Sequence, residues 1–301
     1  MNKFLKKGYL LVGLFIFIWI IKDIDFNYFK NSLSKINILY FLLAIILNLP
    51  NIFFKSYRWK KIMDTQKIFY SIKNSFLMYG SSSLLGLATP GKLGDFSKII
   101  YLKKDNYSFS RAFLGNFLDK FFDLLFILIF GIIALFFLPL ISYSIFNYYT
   151  LFKWLGLIIL VLLVIITFFY LKNKKVFYDF ILEISTDIKK FKLKDMFYIF
   201  LLTVAQWFSY FLIIYFIAIS INLHHHVGFF YLSFSSALVI LTVLLPISIM
   251  GIGTREAVLI FLLTPFGLAK ETIILFSLLI LINYLSPFFI YLYCWIKKPL
   301  L

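Results

Sequence analysis

Asp119, Lys120 and Asp123 interrupt an otherwise apolar run, Leu118-Asp119-Lys120-Phe121-Phe122-Asp123. On a helix Asp119 and Asp123 share a face at i and i+4, and Lys120 reaches Asp123 at i+3. An unpaired charge near the middle of a bilayer costs on the order of 3 kcal/mol. Three together therefore require pairing, or contact with water, a substrate or another charged segment; a purely structural ion-pair cluster at a helix end is the plainer alternative. A second charged stretch, Ala88-Thr89-Pro90-Gly91-Lys92-Leu93-Gly94-Asp95-Phe96-Ser97-Lys98, is broken by Pro90, Gly91 and Gly94, which forbid a continuous helix. Lys92 and Lys98, with Asp95 between them, are candidates for holding an anion. A helix restarting after Gly94 adds free N–H groups, and the glycines let a phosphate approach the backbone. A solvated turn at the cytosolic surface is the competing reading, and the Gly-Lys-Ser/Thr ending of a nucleotide loop is missing. A third stretch runs from Pro246 through Gly251 and Gly253 to Arg255 and Glu256. The fork of Arg255 suits a phosphate or carboxylate, and pairing with an acid such as Asp95 or Asp119 would satisfy it equally well.

These residues need elements that hold charge inside an apolar body. Of the 301 residues, 62% are hydrophobic, well above a soluble globule, and several runs reach the roughly 20 residues of a membrane span. The net charge of +17 sits in loops between apolar runs, which fits positive-inside topology and anionic headgroups better than nucleic acid. Only Arg58, Arg111 and Arg255 among the 30 basic residues are arginines, so each is a candidate for a role that needs the guanidinium fork. The single cysteine, Cys294, excludes an internal disulfide and a thiolate metal cluster. His224, His225 and His226 are consecutive, point apart and have no carboxylate nearby, so they read as an outer-loop run rather than a metal site. No cofactor, metal or nucleotide motif is expected.

In chain order, an uncleaved first helix (about Gly8 to Ile21) leads to an interfacial stretch from Asp25 to Lys35. Helix two (about Ile38 to Phe54, with Pro50 a kink) precedes a cytosolic basic loop carrying Lys55, Arg58, Lys60, Lys61 and Lys67. A first hairpin, about Ser71 to Leu102, enters and leaves on the cytosolic side. Helix three (about Ala112 to Leu138), helix four (about Leu151 to Leu171) and helix five (about Met196 to Ile219) cross the membrane. The last helix, about Thr272 to Ile296, ends at Lys297 and Lys298. Charge parity then makes the broken segment after Tyr231 enter from outside. The expected fold is an all-α polytopic membrane protein forming one domain over residues 1–301. It has about six spanning helices and two re-entrant helical hairpins related as a loose inverted repeat, with both termini cytosolic and the chain in the cell membrane.

Thr89-Pro90-Gly91-Lys92-Leu93-Gly94-Asp95, Asp119-Lys120-x-x-Asp123 and Gly251-Ile252-Gly253-Thr254-Arg255-Glu256 together resemble the lysylphosphatidylglycerol synthase transmembrane region, or flippase-like domain, family. The Arg58-Trp59 pair also fits, and the likeness covers nearly the whole chain. The family pattern has Pro-x-x-x-Gly-Glu and Glu-Arg-x-x-Asp; here Asp95, Asp119 and Lys120 stand for Glu, Glu and Arg. The resemblance implies movement of a lipid with an anionic or modified headgroup between leaflets, or membrane steps of lipid-linked glycan assembly. Members with lysyl transfer carry a large soluble synthase domain, not expected here, so aminoacyl transfer is not carried over. The first functional expectation is an ATP-independent flippase or scramblase for a phospholipid or polyprenyl-phosphate-linked lipid, with Lys92, Asp95, Lys98, Asp119, Lys120, Asp123, Arg255 and Glu256 at the substrate. The second is a membrane enzyme or accessory subunit of envelope lipid assembly, for which Asp95 and Glu256 are the acid–base candidates. Expected partners are the lipid substrate, anionic headgroups at the lysine-rich loops, and a second copy or an envelope-biosynthesis enzyme.

Overall fold

The computed structural model describes residues 10–22, 24–137, 174–244, 248 and 250–299. Among these the regular structure is helical throughout. The expected helix four, the loop from Pro139 to Thr150, and Pro246 lie outside the described residues.

Helix α1 (Leu10–Ile21) is short, as the sequence reading has it. The interfacial stretch is a helix, α2 (Phe26–Ser34), whose N-terminus is capped by Asp25 accepting the Asn27 and Tyr28 N–H groups at 2.8 and 3.2 Å. None of its residues is buried. Expected helix two is α3 (Ile38–Ile46) and α4 (Asn48–Thr65), joined by a bend at Leu47. The bend lies just ahead of Pro50, which lacks the N–H that would bond back into the preceding turn. The expectation that helix two stops at Phe54 and gives way to a basic loop is overturned, because α4 stays helical to Thr65. Its buried face, Asn51, Ile52, Ser56, Arg58, Trp59, Ile62 and Met63, keeps helical spacing straight through the lysines.

The first broken segment folds as α5 (Ile72–Ala88), a tight 3₁₀ turn (Pro90–Ser97) and α6 (Lys98–Lys104). Gly91 and Lys92 take left-handed backbone at φ 60° and 56°, which reverses the chain onto α5. Thr89 fastens this return: its hydroxyl donates to the Leu85 carbonyl at 2.9 Å and accepts the Gly94 N–H at 2.7 Å. The charged run lies on a 29-residue helix, α7 (Phe109–Phe137). Then come α8 (Lys174–Ile188) and α9 (Leu193–Ser220). The second broken segment comprises α10 (Phe229–Leu244), a turn with Met250, Gly251 and Gly253 at φ 55°, 77° and 85°, and α11 (Thr254–Leu263). The last apolar run is α12 (Lys270–Leu285) and α13 (Phe288–Lys297), interrupted at Ser286-Pro287.

Helix α9 packs against both α3 and α4. One apolar core joins it to α11 and α12 through residues such as Ile214, Ile217, Leu259 and Phe276. A second gathers Trp59, Met63, Met78, Leu102 and Phe122 around α4, α5 and α7. Among the described residues three stretches are long and apolar enough to cross a membrane: Ile38–Thr65, Leu193–Ser220 and Lys270–Lys297.

Backbone contact at two glycines sets the tolerance of the broken segments. A Cβ on Gly94 would stand 2.3 Å from the Leu85 carbonyl oxygen, and one on Gly253 1.9 Å from that of Gly13. Gly94→Ala and Gly253→Ala are each expected to destabilise the protein by ~1–3 kcal/mol, as overpacking does. Gly228→Ala, with nothing within 4 Å of the new atom, should be neutral. Thermal unfolding midpoints in detergent check this; equal midpoints for the three variants would contradict the close backbone approach.

Candidate functional site

The charged residues converge on Arg58. Its guanidinium, fully buried in α4, donates from Nε and Nη2 to Asp119 Oδ1 at 3.0 and 2.8 Å. It also reaches Asp123 from Nη1 and Nη2 at 2.8 and 3.0 Å. Nη1 additionally meets Thr203 Oγ1 at 3.2 Å and Gln206 Oε1 at 3.1 Å on α9. One planar fork thus ties α4 to α7 and α9, which a lysine's single ammonium could not do. The i, i+4 placement of the two aspartates aims both at this fork. Gln206 also accepts, through its backbone carbonyl, from Asn51 at 2.8 Å. Trp207 donates to Asp123 at 3.2 Å.

The first hairpin adds three more charges. Lys98 is buried and donates to Asp119 Oδ2 at 3.1 Å, with its ammonium 4.1 Å from the centre of the Tyr79 ring. Its ammonium is therefore engaged within the network. Lys120 bonds Asp95 at 2.5 Å instead of the expected Asp123, because the turn brings Asp95 over α5 and toward α7. That path needs Gly86, where a Cβ would fall 2.1 Å from Asp95 Oδ1. Lys92 stands at the tip, 4.7 Å over the ring of Tyr284 on α12. Lys55, one turn before Arg58 on α4, lies within electrostatic reach of Lys92, Lys120 and Asp123. Among the described residues neither Lys55 nor Lys92 is in an ion pair. Lys55, Arg58, Lys92, Lys98 and Lys120 thus face three carboxylates, Asp95, Asp119 and Asp123, leaving two positive charges unmatched.

The second broken segment is wired differently. Arg255 pairs with its neighbour Glu256 at 2.8 Å and donates from Nε to Ser277 at 2.6 Å, so the expected pairing with Asp95 or Asp119 is not found. The other Glu256 oxygen accepts the Gly253 N–H at 2.6 Å, closing the N-terminus of α11. Both side chains are buried. The tips of the two broken segments nevertheless meet. Thr89, Gly91 and Lys92 from one and Val243 and Met250 from the other line a crevice with Tyr284. It holds about 190 Å³ of space between atoms, too tight to seat a water molecule.

Arg111 lies apart, paired with Glu183 and Asp187 of α8 at 3.8 and 3.2 Å. The loop histidines carry His225 and His226 at the surface, and no cluster of metal-ligand type occurs among the described residues. Sequence reasoning marked Arg58 for its guanidinium fork but put it, with Lys55, in a basic loop and outside the substrate residues, and gave Tyr79 and Tyr284 no role.

Apolar helices long enough to cross a membrane, packed around a buried, polar and net-cationic centre, are the features of a membrane protein. The chain belongs to the lysylphosphatidylglycerol synthase TM region family, whose model matches residues 8–290, and this is a membrane domain associated with lipid or flippase-like functions. No curated protein and no solved structure matches the chain.

Removing one partner of a buried ion pair typically costs ~3–5 kcal/mol, because the other charge is left stranded. Arg58→Met is expected to lose stability on that scale. Asp119 keeps Lys98, so the stranded group is chiefly Asp123, and adding Asp123→Asn should restore part of the loss. Detergent unfolding midpoints of single and double variants measure this, and a double variant no more stable than Arg58→Met would refute the assignment.

Proposed function

We propose that this chain moves an anionic or modified lipid, phospholipid or polyprenyl-phosphate-linked, between membrane leaflets without nucleotide hydrolysis. The headgroup passes between the two broken segments, which act as re-entrant hairpins entering from opposite faces in a loose inverted repeat. About six helices span the cell membrane with both termini in the cytosol, as the lysine-rich connections favour. The observation that carries this reading is a pair of unmatched cations beside a saturated ion-pair network: Lys92, which lines the crevice where the two tips meet, and Lys55, within electrostatic reach of it. The crevice must widen to admit a phosphate, which then meets Lys92 first, with Arg255 beyond Tyr284. Asp119 and Asp123 hold the network in place. The carboxylates an enzyme would use for acid–base chemistry are both engaged, Asp95 by Lys120 and Glu256 by Arg255 and the Gly253 N–H. That weighs for carriage over catalysis.

Reconstitution tests the proposal. In liposomes holding a headgroup-labelled anionic lipid, label in the inner leaflet should become accessible to an external quencher faster with protein than without. Unchanged exchange for every anionic lipid tried, beside turnover of a lipid-linked sugar, would favour the enzyme reading instead.

Lys92 separates function from folding. A non-glycine residue in left-handed backbone carries roughly 1–2 kcal/mol of strain, which glycine would relieve. Lys92→Gly is expected to unfold at the same temperature as the parent or higher, yet to slow lipid exchange severalfold. A variant that is less stable but exchanges lipid at the parent rate would place Lys92 in structure rather than transport.

A further inference from the structure

A second hollow, about 510 Å³, opens where α2, the loop after α9 and the turn between α11 and α12 meet. That is the size of a small-ligand site. It lies at a different depth from the charged centre. Gln206 touches Arg58, while Ile221 and Asn222, just past the end of α9, line the hollow. The intervening helix rises roughly 20 Å at 1.5 Å per residue.

Helix α2 presents one face to this hollow. Tyr28, Asn31, Ser32 and Lys35 all line it, at the i, i+3, i+4, i+7 spacing of a single helical stripe. Its exposed apolar side chains, Phe26 and Leu33, lie off that stripe. The facing wall is rigid, since Leu223 and Val227 are buried in the main apolar core and hold the loop that carries Asn222 and His226. Lys35 and His226 are the basic side chains in the lining, and no carboxylate lines it. The acid nearest in sequence, Glu271, accepts the Asp25 N–H at 3.3 Å.

From this lining we infer that the hollow binds a phosphate-bearing headgroup, with Lys35 and His226 opposite its charge and Asn31 and Asn222 at its remaining oxygens. A lipid would lay its chains beside the apolar flank of α2, which suits a helix at the headgroup layer. Taking a lipid as the source rests on the transport reading, whereas the phosphate chemistry rests on the hollow alone. The site is then a second station, where a headgroup leaving or approaching the centre is held at the far end of α9.

Native mass spectrometry of the full chain in neutral detergent tests this, using phosphatidylglycerol and, separately, inorganic phosphate as probes. Wild type should retain a phosphatidylglycerol that a Lys35→Glu, His226→Glu double variant holds about tenfold more weakly, the scale of one lost charge-assisted hydrogen bond. Both residues are exposed, so the unfolding midpoint should not change, and Lys35→Gln provides a milder second variant. Retention undiminished by millimolar phosphate supports a lipid source. Displacement by phosphate supports the same chemistry with a soluble ligand. Equal occupancy of both probes in wild type and both variants overturns the proposal. Lys30→Gln, exposed on α2 and outside the lining, should leave this occupancy unchanged. Lipid exchange absent from wild type while the binding persists would sink the transport reading and leave this one standing.

Discussion

A guanidinium with no exposure to solvent, forked between two carboxylates one helical turn apart, is the constraint on which the rest of this molecule is arranged. Arg58 spreads its donors over Asp119, Asp123, Thr203 and Gln206, so α4, α7 and α9 cannot slide past one another without stranding a charge. In an apolar body that penalty is several kcal/mol, larger than most single packing contacts. The network therefore fixes register where greasy helix surfaces alone would leave it loose. Lys98 extends it to the first hairpin by taking the remaining Asp119 oxygen. The hairpin is thereby held by charge as well as by the Thr89 staple and the close approach at Gly94.

The two broken segments reach similar shapes by different means. Each runs a helix of about four turns into left-handed backbone, at Gly91 and Lys92 in one and at Met250, Gly251 and Gly253 in the other, and then restarts a shorter helix. In the first, the charges after the break reach across to α7. In the second, Arg255 and Glu256 satisfy each other with Ser277 and the Gly253 amide. One tip is wired to α7 by ion pairs, and the other to α12 through the hydroxyl of Ser277. This asymmetry leaves Lys92 facing Tyr284 rather than an acid.

Much of this was legible in the residues, and what was not has a physical reason. Proline and glycine mark the breaks because backbone preference is local, and Asp119 with Asp123 reads as one face because helical period is local. Arg58 was hidden by treating a lysine-rich stretch as a loop. Composition argued for solvent, while the spacing of Asn51, Ile52, Ser56, Arg58, Trp59, Ile62 and Met63 carried a helix straight through it. Periodicity was the better guide, because lysine stems can run along a surface while every third or fourth residue stays inside. The partner of Lys120 was not legible at all. Asp123 and Asp95 were both available to it, and the choice depends on how the hairpin folds over Gly86, a tertiary fact.

On the transport we propose, Lys92 explains how such a centre would pass a moving headgroup rather than hold a ligand tightly. Its ammonium sits beside a crevice that admits no water and within reach of Lys55, with the Tyr284 ring as compensation. A cation–π contact of this kind contributes on the order of 0.5–2 kcal/mol. A charge-assisted hydrogen bond to phosphate contributes about 1.5–3 kcal/mol, so exchanging ring for phosphate is downhill by only on the order of 1 kcal/mol. A deeper site would trap the headgroup, and a fully paired lysine would never accept it. Passage along a path requires stations attractive enough to enter and weak enough to leave. A strained lysine parked on an aromatic ring where the two broken segments meet fits that condition.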